Sequence, residues 1–141
     1  MAVLRWQSAM QLGIPAIDAD HKRLVALLNG LHYAVLAGED HEGVGGTIEE
    51  LVRYTEGHFA REEALMERSG YPGRYQHSLA HARIAERMRE WRADYAGAPA
   101  AFPMDCFYDF VSGWLLHHVL EEDMKLKPYV TRLTASTYAY A

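Results

Sequence analysis

Apolar residues recur along this chain at alternating steps of four and three. One run is Ile17, Leu24, Leu28, Leu31 and Val35. A second is Val44, Ile48, Leu51 and Leu65, a third Ile84, Met88, Trp91 and Tyr95, and a fourth Met104, Phe107, Val111 and Trp114. Such spacing lays each set along one face of an α-helix. No segment shows the two-residue alternation of a half-buried strand. Breakers cluster between the runs, in GEDHEGVGG (38–46), SGYPG (69–73) and YAGAPAAFP (95–103). The pattern predicts helices over about 18–37, 44–68, 74–95 and 104–122. Asp18 or Asp20 is placed to cap the first, and Pro103 to start the last. Residues 1–17 read as an N-terminal arm and 129–141 as a short C-terminal tail. Short connections make consecutive helices antiparallel. The expected fold is all-α, an up-down-up-down four-helix bundle in a single domain spanning 1–141.

The gaps in these runs carry the chemistry. In register, the first seam is interrupted by His21, the second by Thr55, His58 and Glu62, the third by His77 and His81, and the fourth leads to His118. Burying such groups unpaired costs several kcal/mol each. His21 lies near the start of the first helix and His58 and Glu62 near the end of the second. His77 and His81 open the third, and His118 is near the end of the fourth. In an antiparallel bundle those ends coincide, so five imidazoles and a carboxylate converge in one layer. Histidine with carboxylate suits iron, zinc, copper or manganese. Five histidines exceed what one tetrahedral zinc takes, whereas two metals bridged by carboxylates would use them all. The Glu-x-x-His pairs of ferritin-like di-iron bundles are absent, and HSLAH (77–81) lacks the glutamate of a zinc-protease helix.

Composition narrows the setting. The chain has 141 residues, half of them hydrophobic, with a formal net charge of −5, eight histidines and one cysteine, Cys106. The absence of a compensating basic patch argues against nucleic acid. A lone cysteine excludes an internal disulfide and a cysteine-based zinc site, and fits a reduced cytoplasm. The longest apolar stretches, such as FVSGWLL, are too short to span a bilayer, and the N-terminus lacks a signal-peptide pattern. His32, His41 and His117 read as surface or edge residues, Glu63, Glu121 and Glu122 as solvated, and Cys106 as buried or half-buried. Tyr71, in the SGYPG loop, is placed either to close over the layer or to cap its own loop.

Four segments together resemble the hemerythrin family, in its single-domain bacterial form: LGIPAIDADHKRL (12–24), HFAREE (58–63), HSLAH (77–81) and WLLHHVLEED (114–123). The resemblance spans residues 6 to about 127. It implies two iron ions joined by an oxo or hydroxo bridge. His77, His81 and His118 would bind one, and His21 and His58 the other, with Glu62 and Asp123 bridging. The first iron would then be six-coordinate and the second five-coordinate, leaving one position for dioxygen. Regular helix geometry from His118 selects Glu122, four residues on; the resemblance selects Asp123, five residues on. A five-residue step rotates well off the face of a regular helix, so Asp123 predicts a local π-type turn or loosened winding around Val119–Asp123. Leu24, Phe59, Trp114 and Leu115 would supply apolar walls for the oxygen. The implied activity is reversible dioxygen binding without catalysis, by a cytoplasmic monomer that transports, stores or delivers oxygen to an oxygen-consuming enzyme. An oxygen or redox sensor, or a di-iron enzyme, is the alternative.

Overall fold

The computed structural model describes residues 3–132. Four long helices are present: α1 (Pro15–Leu36), α2 (His41–Ser69), α3 (Arg74–Gly97) and α4 (Met104–His117). No strand occurs among the described residues. The ends lie within three residues of the expected ones, apart from the last, and each shift has a local cause. Pro15 takes the first helical position of α1, where its missing N–H is no loss. Asp18 therefore caps nothing at that helix start. Its carboxylate turns back to accept from the Leu12 and Gly13 amides at 2.8 and 3.0 Å, tying the arm to α1. Asp40 caps α2 by accepting from Gly43 N at 2.8 Å, which starts that helix at His41. Gly70, with φ of 68°, ends it in the left-handed conformation that favours glycine.

The last helix does not stop as a plain α-helix. A π turn spans His118–Glu122 and a 3-10 turn spans Asp123–Lys125. The π turn falls where the i, i+5 spacing of His118 and Asp123 demanded it. A further helix covers 127–132, so the expected tail is helical over 129–132; residues 133–141 lie outside the described residues.

Helix α1 packs on α2 and α4, and α2 packs on α3. Most of each seam is buried: Ile17, Leu24, Leu28 and Leu31 on α1, Val44, Ile48 and Leu51 on α2, Met88, Trp91 and Tyr95 on α3, Phe107 and Val111 on α4; Val35, Leu65, Ile84 and Met104 are half-buried. Trp91, Phe102 and Phe107 form an aromatic cluster, with ring centroids 5.6 Å apart for each pair. The polar layer occupies the other end. The N-terminal arm lies against the bundle through Met10 and Leu12, both buried, and through Asn29, which bonds Leu4 O at 2.6 Å.

Two expectations about single residues fail. His32 is buried at 9% exposure and lies against Tyr108, with ring centroids 5.9 Å apart. The apolar stripe of α1 is wide enough to include both Leu31 and His32. Cys106 is exposed, one residue before the buried Phe107 and off the seam. His41 and His117 are exposed as expected. Tyr71 packs edge-on against Tyr129, centroids 5.2 Å apart, pinning its loop to the final helix.

Candidate metal centre

His21, His58, Glu62, His77, His81, His118 and Asp123 meet in one buried layer, none more than 4% exposed. They come from both ends of the chain's helices: starts of α1 and α3, end of α2, and the π turn after α4. That convergence is itself the sign of antiparallel packing. Nε2 of each histidine turns inward, and each carboxylate divides its oxygens between two histidine sets. Glu62 Oε1 lies 2.6, 3.1 and 3.2 Å from Nε2 of His77, His81 and His118. Glu62 Oε2 lies 3.2 Å from His58 Nε2 and 4.0 Å from His21 Nε2. Asp123 repeats the division: Oδ1 is 2.9 and 3.2 Å from His118 and His77, and Oδ2 is 2.8 Å from His21.

Several of these approaches are not hydrogen bonds. His21 Nε2, His58 Nε2, Glu62 Oε2 and both Asp123 oxygens are fully buried with no hydrogen-bond partner among the described residues. Such orphans are rare in folded proteins and require an explanation. Two donors in cis positions about 2.1 Å from a common divalent ion stand about 3 Å apart. The observed separations match that, and the donor set suits a first-row metal. Two overlapping groups have ligand atoms within 4.8 Å of one another: His21, His58, Glu62, His118 and Asp123, and Glu62, His77, His81 and His118. Glu62 and His118 belong to both, and Asp123 to the first alone. The residues fit a buried metal centre of histidine and carboxylate ligands.

The electrostatics of the cluster's own side chains follow from the same contacts. Burial alone would lower the imidazole pKa values, but Asp123 and Glu62 outweigh it, pushing His118 up to about 10 and His77 to about 9. His58 is raised by Asp20 and Glu62 against the same burial. His81, for which burial dominates, is lowered. Burial favours protonation of Glu62 and Asp123, yet the surrounding imidazoles hold both below the usual carboxylate range.

Two outer partners were not legible as such in the sequence. Asp20, expected only as a possible cap, is 5% exposed and bonds His58 Nδ1 at 3.1 Å. Glu63, expected in solvent, reaches His81 Nδ1 at 3.4 Å. The signal for Asp20 lay on α2: Tyr54, His58 and Arg61, at steps of four and three, make a polar stripe that needs an acidic partner on α1.

The four apolar residues expected near the centre are all buried. The Phe59 ring stacks on His81 with centroids 4.0 Å apart and planes 7° apart, and meets Trp114 edge-on at 5.6 Å. Trp114 lies 5.9 Å from His118. Leu24 is three residues from His21 and Leu115 three from His118, so each shares its histidine's helix face. Phe59 thus borders both His81 and His58, the latter 5.8 Å away, and Trp114 borders His118. Among the described residues, no helix is long and apolar enough to cross a membrane.

Comparison with known proteins agrees with this geometry. Residues 12–130 match the family model of the hemerythrin HHE cation binding domain. The chain is 40% identical over 124 residues to a bacteriohemerythrin of Pseudomonas aeruginosa, covering 87% of this chain and 78% of that one. A Stenotrophomonas maltophilia bacteriohemerythrin is 38% identical over the same coverage, and one from Clostridium acetobutylicum 28% identical over 84% of this chain and 94% of its own. Crystal structures of a hemerythrin, as wild type and as a leucine-to-alanine mutant, superpose with TM-scores of 0.82 and 0.83 at 24% identity, covering 92% of this chain and 98% of theirs. The chain belongs to the hemerythrin family.

Proposed function

We propose that this chain binds dioxygen reversibly at a pair of iron ions, held by His77, His81 and His118 on one side and by His21 and His58 on the other. Glu62 and Asp123 bridge the two in this reading. The observation that carries it is the division of labour within each carboxylate, one oxygen toward each histidine set. When bound, two ferrous ions with an oxo or hydroxo bridge supply the electrons that dioxygen takes up on binding and gives back on release. The unequal histidine count, three against two, leaves room for the gas on the His21–His58 side.

The protein's own part is to hold and to exclude. With metal bound, the imidazoles would be neutral and present Nε2 inward, while Asp20 and Glu63 hold Nδ1 of His58 and His81. Leu24 and Leu115, with Phe59 and Trp114 beyond them, keep water from the layer. A dry wall without an acidic side chain favours carriage over oxygen activation. The role that follows is that of a cytoplasmic, monomeric oxygen carrier, for transport, storage or delivery to an oxygen-consuming enzyme.

The test is reconstitution with ferrous iron under argon, followed by cycles of oxygen and argon under an absorption spectrometer. Two irons per chain and a coloured form that bleaches and returns over repeated cycles are expected. A single metal per chain would overturn the binuclear reading. Oxidation completed in the first exposure would overturn carriage in favour of a sensor or enzyme.

A further inference from the structure

The ligand histidines differ in what stands behind them. Among the described residues, Nδ1 of His21 and of His77 has no hydrogen-bond partner. His81 has Glu63, whose side chain is 39% exposed, at a long 3.4 Å. Among the described residues, His58 alone is backed by a buried carboxylate that is itself fully engaged. Asp20 Oδ2 takes His58 Nδ1 at 3.1 Å and Arg61 Nε at 2.8 Å. Asp20 Oδ1 takes Arg61 Nη2 at 2.9 Å and the Tyr54 hydroxyl at 2.8 Å. Arg61 lies over the Tyr54 ring, 5.3 Å from its centroid, so the two clamp Asp20 as one unit.

From this geometry we infer that Asp20 is a positioning residue for the two-histidine side of the centre, locked by Arg61 and Tyr54, and that this clamp sets how firmly the ion at His21 and His58 is held. The inference rests on the binuclear reading above. Its physical basis is direct. A carboxylate on Nδ1–H fixes the tautomer that leaves the Nε2 lone pair facing inward, orients the ring and raises its basicity. Fork-on-fork pairing of a guanidinium with a carboxylate fixes the carboxylate in turn. His21, the other histidine on this side, has no such support, so His58 is the anchor of the half that has one ligand fewer. The three-histidine side has no equivalent need. The clamp also reaches the surface, since the Arg61 side chain is 49% exposed while the Asp20 side chain is 7% exposed.

The experiment is chelator competition of the ferrous-loaded protein under argon, with ions per chain counted by native mass spectrometry. Variants are Asp20→Asn, Arg61→Gln and Tyr54→Phe. In Asp20→Asn one of two ions should leave at a chelator concentration about 10–100-fold lower, while the second stays as in the wild type. Arg61→Gln should shift the same single ion by less, and Tyr54→Phe least. A population of chains carrying one ion is the signature, because a merely structural loss would loosen both ions together and lower the melting temperature of the metal-free protein. Equal loosening of both, or wild-type retention of both, overturns the inference. If Asp20→Asn does not fold, Arg61→Gln decides, and wild-type retention there overturns it. A wild-type chain that never takes two ions tells against the binuclear reading itself, and is seen before any variant is made.

Discussion

His118 and Asp123 are five residues apart in sequence and 2.9 Å apart at Nε2 and Oδ1. On a regular α-helix a five-residue step turns about 500°, leaving the two side chains about 140° apart. The π turn over His118–Glu122 removes that mismatch. Glu122, which a regular helix would have offered instead, lies on the rim and faces His117 Nε2 and Lys125 Nζ, each at 3.6 Å. One widened turn thus decides which carboxylate enters the layer.

A deletion and an insertion should therefore behave oppositely. Leu120, 41% exposed, lies inside the π turn. Deleting it makes the His118-to-aspartate step four residues, which a regular α-helix aligns. That variant should keep two metal ions per chain by elemental analysis. Inserting an alanine after Leu120 makes the step six residues and should abolish at least one ion. Loss of metal in the deletion variant would show that the π turn matters for more than register.

The metal-free protein should lose stability on the alkaline side. His118 and His77 titrate near 10 and 9 when folded, against 6.5 for the unfolded chain. Groups raised in this way stabilise fully below 6.5, and the contribution fades as pH rises through the folded values. Glu62 and Asp123, held low, stabilise above their unfolded values of 4.5 and 3.8, and that contribution fades in acid. His81, held low by burial, acts the other way and loses its contribution as pH falls below 6.5, so the melting temperature of the metal-free protein should be highest near pH 6.5 and fall from pH 7 to 10. Metal uptake at pH 7 must displace those protons, so it should acidify an unbuffered solution and strengthen as pH rises. Uptake without proton release would contradict the carboxylate–imidazolium contacts.

Leu115 tests the dry wall. It is fully buried, three residues before His118. Leu115→Thr keeps a branched side chain but brings a hydroxyl to the layer. The oxygenated form should then decay irreversibly several-fold faster, followed by its absorption, while Leu115→Met stays near the wild type. An unchanged lifetime in the threonine variant would remove Leu115 from the pocket.

Periodicity along the chain was enough to place the seams and, through antiparallel packing, to gather His21, His58, Glu62, His77, His81 and His118 at one level. Asp123 was beyond its reach, because a regular helix rejects that position and only the family resemblance selected it. Asp20 and His32 escaped for a different reason. Both sit about 60° off the centre of the four-three ladder, at the edge of the apolar stripe, where burial depends on the neighbouring helix as well as on the helix's own pattern. Arg61 and Tyr54 cover Asp20, and Tyr108 covers His32. Glu63 looked solvated because half of it is; its link to His81 needs the spacing of α2 and α3, which no single-helix reading supplies.

Phe59 stands where packing and protection of the centre coincide. Its ring is 3% exposed and stacks on His81, and a cleft of about 190 Å³ between α2 and α3 reaches both residues from outside. Ala60, Ser78, Ala82 and Ala85 line that cleft together with Glu56 and Glu63, so the Phe59 ring is the large apolar group that shields the histidine layer there. Truncation by Phe59→Ala should cost about 3–5 kcal/mol in chemical denaturation, the usual range for a buried phenylalanine. It should also extend the cleft inward to the imidazole edge and speed extraction of iron by a small chelator. Phe59→Leu refills most of the volume and should recover most of the slow extraction. If Phe59→Ala loses stability but releases iron at the wild-type rate, the ring only packs the core, and the centre is shielded by other residues.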